Sequence, residues 1–355
     1  MEFKIKTISP VHIGSGVDLQ PYEYTLDNGY HRYNMPKLFR KIGESYPNLI
    51  EKMDAWIAEY ETKQRGEDSK DKSVARLNLT FKNFLKNNGV AQSDVDRIMK
   101  SKDVIMYSFD LPFSVSKRKK LKEMIKNQKG KAYIPGTSLK GAIRTALASK
   151  ALNQLTNGEV KSLLKGIPGS NIEGLNRILS DFKKDDDGKD NSEKLKKIIG
   201  DEVEKILFYL GFHAETIIIF GDEKFDLMKA LLITDTYNSE ANMTVAEINP
   251  VTNNKSRNIS ETSIDPQPIS LFEILESGSQ FNCRIEVDIG YLYNLYNMRK
   301  DLVGAKEKIE RLFGFDISLL KKKDFKEYEQ KAIEHIKAAV YEFSKEISQK
   351  DLLWL

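Results

Sequence analysis

The sequence predicts an α+β fold, in which strands are interrupted by long helical insertions. Three observations carry that expectation. The chain opens on a run with alternating apolar and polar residues, FKIKTI at Phe3–Ile8. Its middle is dominated by stretches of helical spacing, and its second half returns to strand character. Mixed strands with insertions of this kind fit α+β better than a doubly wound sheet.

Each element has its own reason. Phe3–Ile8 runs into SPVHIGSG, Ser9–Gly16, which reads as a tight turn because Gly14 and Gly16 permit positive φ and close approach of another backbone. Tyr22–Leu26 and Tyr30–Tyr33 flank Asp27-Asn28-Gly29, a hairpin signal. A helix is expected over Pro36–Tyr46. Leu49–Lys102 is largely helical, with a polar break at Lys63–Lys72, and Val104–Phe109 reads as a strand. The run KRKKLKEMIKNQKGK, Lys117–Lys131, holds eight Lys or Arg and a single Glu123. Leu121, Met124 and Ile125 fall at helical spacing, so it is either a docked helix with a cationic face or a solvated charge block. Its place directly before the next motif favours a docked, functional surface.

That motif, AYIPGTSLKGAIRT at Ala132–Thr145, is the most informative stretch. Tyr133 and Ile134 end a short strand, Pro135-Gly136 makes a turn, and Thr137 and Ser138 open a helix. Lys140 and Arg144 stand four apart and share a face. A helix start offers unpaired N–H groups and the positive end of the dipole, and hydroxyls and cations there would add to a phosphate-binding site. Read alone, the segment fits better an ordinary capped helix with two solvated cations. The stripe Leu139, Ile143, Leu147, Ala151, Leu155 reads as core. Helices near 158–180 and 193–211 flank the Asp-rich Asp181–Asp190, expected to be a mobile surface loop.

Strands are then expected at Leu231–Tyr237, Met243–Ile248, Ile269–Leu275 and Gln280–Val287, with Asn249–Thr262 a polar loop and Ser277-Gly278 a turn. Tyr291–Phe313 and Phe325–Ile347 read as helices, with Tyr291, Tyr293 and Tyr296 as packing residues.

Composition narrows the classes. The 355 residues are 40% hydrophobic, enough for a sizeable core, and 30% charged. The net charge of +4 is too small by itself to define a nucleic-acid binder; its distribution says more. No stretch reaches the ~20 apolar residues of a membrane span, and the N-terminus lacks the pattern of a signal peptide. Cys283 is the only cysteine, so no intrachain disulfide can form. A soluble, cytoplasmic protein with no membrane partner is expected. No Cys/His cluster suits zinc. Gly136 and Gly141 have P-loop spacing, but Ala142 and Ile143 follow where Lys and Ser/Thr are required, so no nucleotide or other cofactor is expected. Of the four histidines, His213 and His335 lie in helical contexts, and His12 is the best candidate for chemistry beside His31.

A strand leading to HIGSG, followed downstream by PGTSLKGAIR, resembles the RAMP superfamily of CRISPR effector subunits, Cas proteins with modified ferredoxin-like folds. The superfamily's second motif is commonly Pro-Gly-Ser-Ser-Leu-Lys-Gly-Ala-Ile-Arg, and Thr137 keeps the hydroxyl of the first serine. LLITDT at Leu231–Thr236 is similar to its central strand, which typically ends in an Asp. ISLFEILESGSQFNCRIEV at Ile269–Val287 is similar to its strand, Gly-containing turn and strand. Order and spacing fit best the end-capping backbone subunit of the type III-A (Csm) complex.

The resemblance implies one elaborated RAMP-like unit over 1–355. Residues 1–47 and 104–155 would form the first part of a ferredoxin-like (RRM-like) core. Residues 48–103 and 156–228 would be helical insertions, and 229–355 the second part, with a β-thumb at about 238–268. Its inner strands would be Leu231–Tyr237 and Gln280–Val287. The superfamily's Gly-rich turn after the last strand has no counterpart before Leu355, so the chain is expected to be truncated or diverged there.

In function, the resemblance implies a non-catalytic RNA-binding structural subunit. It would hold the 3′ region of the guide RNA, cap the backbone filament, and meet target RNA by way of the guide. Its protein partners would be neighbouring Csm backbone and small helical subunits. The RNA-contacting residues would be His12, Gly14, Ser15 and Gly16; Lys117, Arg118, Lys119, Lys120 and Lys131; Gly136, Thr137, Ser138, Lys140 and Arg144; and Asn254, Lys255 and Arg257. The alternative within the superfamily is a guide-RNA processing endoribonuclease with His12 as acid or base. Other relatives cut target RNA with an Asp in the loop after the first strand, near where Asp18 lies. Setting the resemblance aside leaves a basic protein-interaction module.

Overall fold

The computed structural model describes residues 1–27, 29–65, 80–111, 120–154, 207–210, 212–214, 217–219, 223–248, 270–300 and 304–352. Several expectations lie outside them: Lys117–Lys119, residues 249–268 of the expected thumb with its tip, the Asp-rich loop, and most of the helices flanking that loop.

The architecture is mixed α/β. In chain order the N-terminal part runs β1 (Glu2–Lys6), β2 (Gly14–Leu19), β3 (Tyr24–Thr25), β4 (Tyr30–Tyr33), α1 (Met35–Ser45) and α2 (Ile50–Arg65). It continues with α3 (Phe81–Asn87), α4 (Gln92–Met99), β5 (Ile105–Phe109), β6 (Leu121–Met124) and α5 (Gly136–Asn153). Then come β7 (Phe212–Ala214), β8 (Ile217–Ile219), β9 (Leu231–Ile233), β10 (Tyr237–Glu240), β11 (Met243–Ile248), β12 (Ser270–Leu275) and β13 (Gln280–Val287). The chain closes on α6 (Ile289–Arg299), α7 (Ala305–Phe313) and α8 (Phe325–Leu352).

Two compact units result. One comprises Met1–Phe3, Pro135–Asp235 and Cys283–Leu355; the other comprises Lys4–Ile134 and Thr236–Asn282. The first is largely helical. Its core joins Ile143, Leu147 and Ala151 of α5 to Leu292, Ile309, Phe313, Ile333 and Ile336. The expected apolar stripe of α5 is therefore core at those three positions. Within this unit β9 pairs antiparallel with Ile285–Val287 of β13.

The second unit holds a sheet of order β11-β12-β6-β2, and a smaller one of order β3-β4-β5. β11 pairs with β12 from Met243↔Leu275 to Ile248↔Ser270, and β12 runs parallel to β6. Helices α1 to α4 supply a separate core that includes Leu38, Ile42, Met53, Phe81, Leu85 and Ile98. The helices start where their sequence allows. The Asn34 side chain accepts from Lys37 N with Pro36 in the first turn, and Thr80 Oγ1 accepts from Asn83 N.

Glu273 of β12 is fully buried in this unit. Tyr30 Oη (2.6 Å) and Tyr107 Oη (2.8 Å) donate to its Oε1, and Met124 N (2.9 Å) donates to Oε2. Lys126 Nζ is ion-paired with the same oxygen. A buried carboxylate is tolerable only with this degree of satisfaction. Burial, reinforced by the carboxylate, pushes both tyrosine hydroxyls up from their ordinary range, so they stay protonated and donating. One side chain thus joins β4, β5, β6 and β12.

Six expectations are corrected. HIGSG is not a tight turn: its glycines open β2, an edge strand on β6. Register is irregular between Gly14 and Asp18, and Gly16 takes φ 86°. Leu121–Met124 is a strand, not helix, because Leu121 and Met124 bury between neighbouring strands. Leu231–Tyr237 breaks at Thr234–Thr236, where side-chain hydrogen bonds join the backbone bonds of Thr234 N to Arg284 O and Thr236 N to Ile134 O. Tyr291–Phe313 is two helices, the second entered through Gly304 at φ 88°. His213 lies in β7, not in a helix. Among the described residues β9 pairs only with β13, so Leu231–Ile233 is not an inner strand there.

Removing the carboxylate should expose how much this unit leans on it. Glu273→Ala leaves a lysine and two hydroxyls buried without their acceptor, and should cost about 3–5 kcal/mol. Urea denaturation measures this; a loss under about 1 kcal/mol would show the network to be incidental.

Candidate nucleic-acid interface

The first group of candidate residues lies in the unit built on Glu273. Val11 exchanges backbone bonds with Leu275 (3.0 and 2.8 Å), and Ile13 O accepts from Ile125 N (2.8 Å). Between them His12 places Nδ1 2.7 Å from the Glu273 carbonyl oxygen, its ring edge-on to Phe272 at 4.9 Å. Nδ1 is thereby committed as the donor, and Nε2 is left facing Gly14, where a Cβ would lie 3.3 Å away. Among the described residues no hydrogen bond joins His12 to a second titratable side chain, as an acid–base pair would require. Gly14, Ser15 and Gly16 are exposed on the edge strand. Ser15 Oγ donates to Glu123 at 3.2 Å. Asp18 faces solvent beside Lys122 at 3.5 Å. Lys120 and Lys131 are exposed.

The second group lies in the helical unit, at the start of α5. Gly136 is packed so closely that a Cβ would overlap the Ile233 carbonyl oxygen and lie 2.9 Å from that of Thr234. Its N–H donates to Asp235 Oδ1 at 2.8 Å. Pro135 O accepts from Ser138 N (3.0 Å) and Leu139 N (3.2 Å). The first N–H of the helix therefore already meets a carboxylate, which takes the place an incoming phosphate would have. Thr137 and Ser138 are exposed. Lys140 is half-buried; burial pulls its pKa down, opposed by the Asp226 carboxylate.

Arg144 is differently placed from its partner in sequence. Its Nη1 pairs with Asp226 Oδ2 at 3.4 Å, and its guanidinium lies 4.6 Å from the Phe208 ring centre. Asp226 Oδ1 also accepts from Met228 N at 2.9 Å. Arg144 thus ties α5 to the short turn at Leu227–Ala230, whereas Lys140, also half-buried, forms no ion pair within 4.0 Å among the described residues. The sequence reading had no role for Asp226 and left Asp235 as the end of a strand. The Asp closing LLITDT was the available signal for the latter. Asn254, Lys255 and Arg257, like Lys117, Arg118 and Lys119, lie outside the described residues.

Among the described residues, no group of His, Cys, Asp and Glu side chains could hold a metal ion, and no helix is long and apolar enough to cross a membrane.

A Gly-rich edge strand and a glycine-locked helix start with exposed hydroxyls accompany a family-wide match: the model of the RAMP superfamily fits residues 4–351, and the chain belongs to that superfamily. Within it, the chain is 30% identical over 147 residues to the CRISPR system Cms protein Csm5 of Methanocaldococcus jannaschii, covering 41% of this chain and 30% of that protein. It is 28% identical over 147 residues to the Streptococcus thermophilus protein of the same name, covering 41% of this chain and 37% of the other. The match thus spans about a third of each relative's length. The fold is similar to the crystal structure of T. onnurineus Csm5, with a TM-score of 0.55, 20% identity, and 98% of this chain covering 82% of that one. It is also similar to a chain of a cryo-EM structure of a type III-A Csm–crRNA–target RNA ternary complex, again with a TM-score of 0.55 and 20% identity. There 97% of this chain covers 77% of the other.

The helix start makes a sharp prediction. Gly136→Ala forces a methyl group into a backbone carbonyl and should destabilise the chain by about 1–3 kcal/mol, the cost of overpacking. Asp235→Ala should cost about 1 kcal/mol, as loss of a cap. Thermal unfolding monitored by circular dichroism tests both; equal melting temperatures for wild type and Gly136→Ala would refute the close packing.

Proposed function

We propose that this chain is an RNA-binding structural subunit of a type III-A CRISPR (Csm) effector complex, with no catalytic role of its own. It would hold the 3′ region of the guide RNA, meet target RNA through that guide, and cap the backbone filament beside Csm backbone and small helical subunits in the cytoplasm. The observation carrying this reading is the start of α5. There Gly136 is locked against backbone, while the Thr137 and Ser138 hydroxyls stay exposed beside the half-buried Lys140. Hydroxyls and a cation on a rigid turn suit phosphate contacts that position an RNA without reading its sequence. Membership of the RAMP superfamily and the likeness to proteins named Csm5 support the same reading.

We further propose that 1–355 forms one elaborated RAMP-like unit around a ferredoxin-like core, in the parts set out from the sequence. Its β-thumb would lie at about 238–268. The described stem of that thumb, β11, is paired along its length with β12. Lys120, Lys131 and the exposed Gly14, Ser15 and Gly16 would add backbone contacts. Arg144 would support the site by fixing α5, not by touching RNA.

Two substitutions separate these roles. Lys140→Ala should leave the melting temperature nearly unchanged and flatten the salt dependence of single-stranded RNA binding by about 0.7 in log–log slope. Arg144→Ala should instead lower the melting temperature, by removing a partly buried ion pair. An unchanged slope for Lys140→Ala would remove α5 from the RNA contact. His12→Ala in a reconstituted complex should leave guide maturation and target cleavage intact; a loss of about 10²-fold or more would favour the endoribonuclease alternative.

A further inference from the structure

In the unit of Lys4–Ile134 and Thr236–Asn282, a groove of about 570 Å³ runs between β5 and the segment that follows β6. Its charge is unbalanced. Lys37, Lys102 and Lys129 line it, are exposed, and form no ion pair among the described residues. Its two carboxylates have cationic or hydroxyl neighbours of their own. Glu123 accepts from Ser15 Oγ (3.2 Å) and lies 3.1 Å from the Tyr107 hydroxyl and 4.0 Å from Arg32 Nε, and the exposed Asp103 lies 4.0 Å from Lys41 Nζ. The fourth lysine, Lys126, is spent on buried Glu273. Met106 exposes 56% of its surface on the same strand.

We propose that this groove is a second contact for single-stranded RNA, separate from the α5 helix start. Lys37, Lys102 and Lys129 take phosphates, and Met106 offers an apolar face to an unstacked base. None of these residues belongs to either motif that identifies the superfamily. The assignment rests on the proposed RNA-binding function. A cationic groove suits an acidic polypeptide as well in charge alone. The exposed thioether and the flanking amide of Gln128 favour RNA, whose bases offer both an apolar face and hydrogen-bonding edges.

The test is fluorescence anisotropy of the full chain with a labelled unstructured RNA oligonucleotide, across a salt series. Wild type is compared with Lys37→Ala/Lys102→Ala/Lys129→Ala and, separately, with Lys140→Ala. Three lost phosphate contacts should reduce the log–log salt slope by about 2, with the melting temperature held, since exposed lysines contribute little to stability. If Lys140→Ala lowers the slope and the triple variant does not, the groove proposal falls and the function stands. If wild type shows no salt-dependent RNA binding, both fall. If polyglutamate of matched charge binds the wild-type groove as tightly as RNA, and loses that binding in the triple variant, the groove is a site for an acidic polypeptide and the RNA assignment is overturned.

Discussion

A carboxylate with no access to water is among the most demanding groups a protein can contain, and Glu273 makes the unit around it answer to that demand. Its two oxygens draw a hydroxyl from β4, a hydroxyl from β5, and the N–H of Met124 at the end of β6. Lys126, just beyond β6, supplies the opposing charge. The backbone carbonyl of the same residue fixes the His12 ring. Two sheets, the Gly-rich edge strand and the groove beside β5 are therefore all tied to one buried side chain. A hydrophobic residue there could pack as well, but it would leave the buried Tyr30 hydroxyl without its acceptor and the Lys126 ammonium without its counter-charge.

The helical unit reaches a functional surface by a different route. At the start of α5 the constraint is steric: only glycine fits against the carbonyls of Ile233 and Thr234. The Asp235 carboxylate then takes the first N–H of the helix. Flanking threonines hold the strands on either side, Thr234 on Arg284 N (3.0 Å) and Thr236 on Ile134 N (2.8 Å). The tripeptide Thr234-Asp235-Thr236 thus adds side-chain caps to the backbone bonds that Thr234 N and Thr236 N keep. A helix start that looks free in sequence has its first N–H taken from within, and the Thr137 and Ser138 hydroxyls are the exposed groups beside it.

Much of the fold was legible where a pattern was local. Met243–Ile248 and Gln280–Val287 are strands over the whole of the spans expected from alternation. The Asp27–Gly29 signal sits between β3 and β4, which pair. The apolar stripe of α5 follows helical period. What was not legible depends on partners distant in sequence. Leu121 and Met124 have the spacing of a helix face, but neighbouring strands on both sides recruit them into a sheet. HIGSG has the composition of a turn, but a partner strand lets its glycines form a bulged edge. At the site, Thr137, Ser138 and Lys140 could be picked from type and spacing. Arg144 could not be told from Lys140, because Asp226 and Phe208 lie more than sixty residues further along the chain.

That last distinction bears on basic proteins generally. A chain with 56 Lys and Arg against 52 Asp and Glu has almost no net charge to spend on a polyanion, so what it can bind depends on which cations remain unpaired after folding. Arg32, Lys41, Lys122, Lys126, Arg144 and Lys150 all have carboxylate neighbours within 4.0 Å. Lys37, Lys102 and Lys129 do not, among the described residues. Density of basic residues in the sequence points to the run at Lys117–Lys131, and folding spends part of that run on Glu273 and Asp18. It also leaves two lysines from quite different segments, Lys37 of α1 and Lys102 after α4, beside Lys129. The field that a polyanion would meet there is built from such residues, and their proximity is a property of the fold, not of any one segment of sequence.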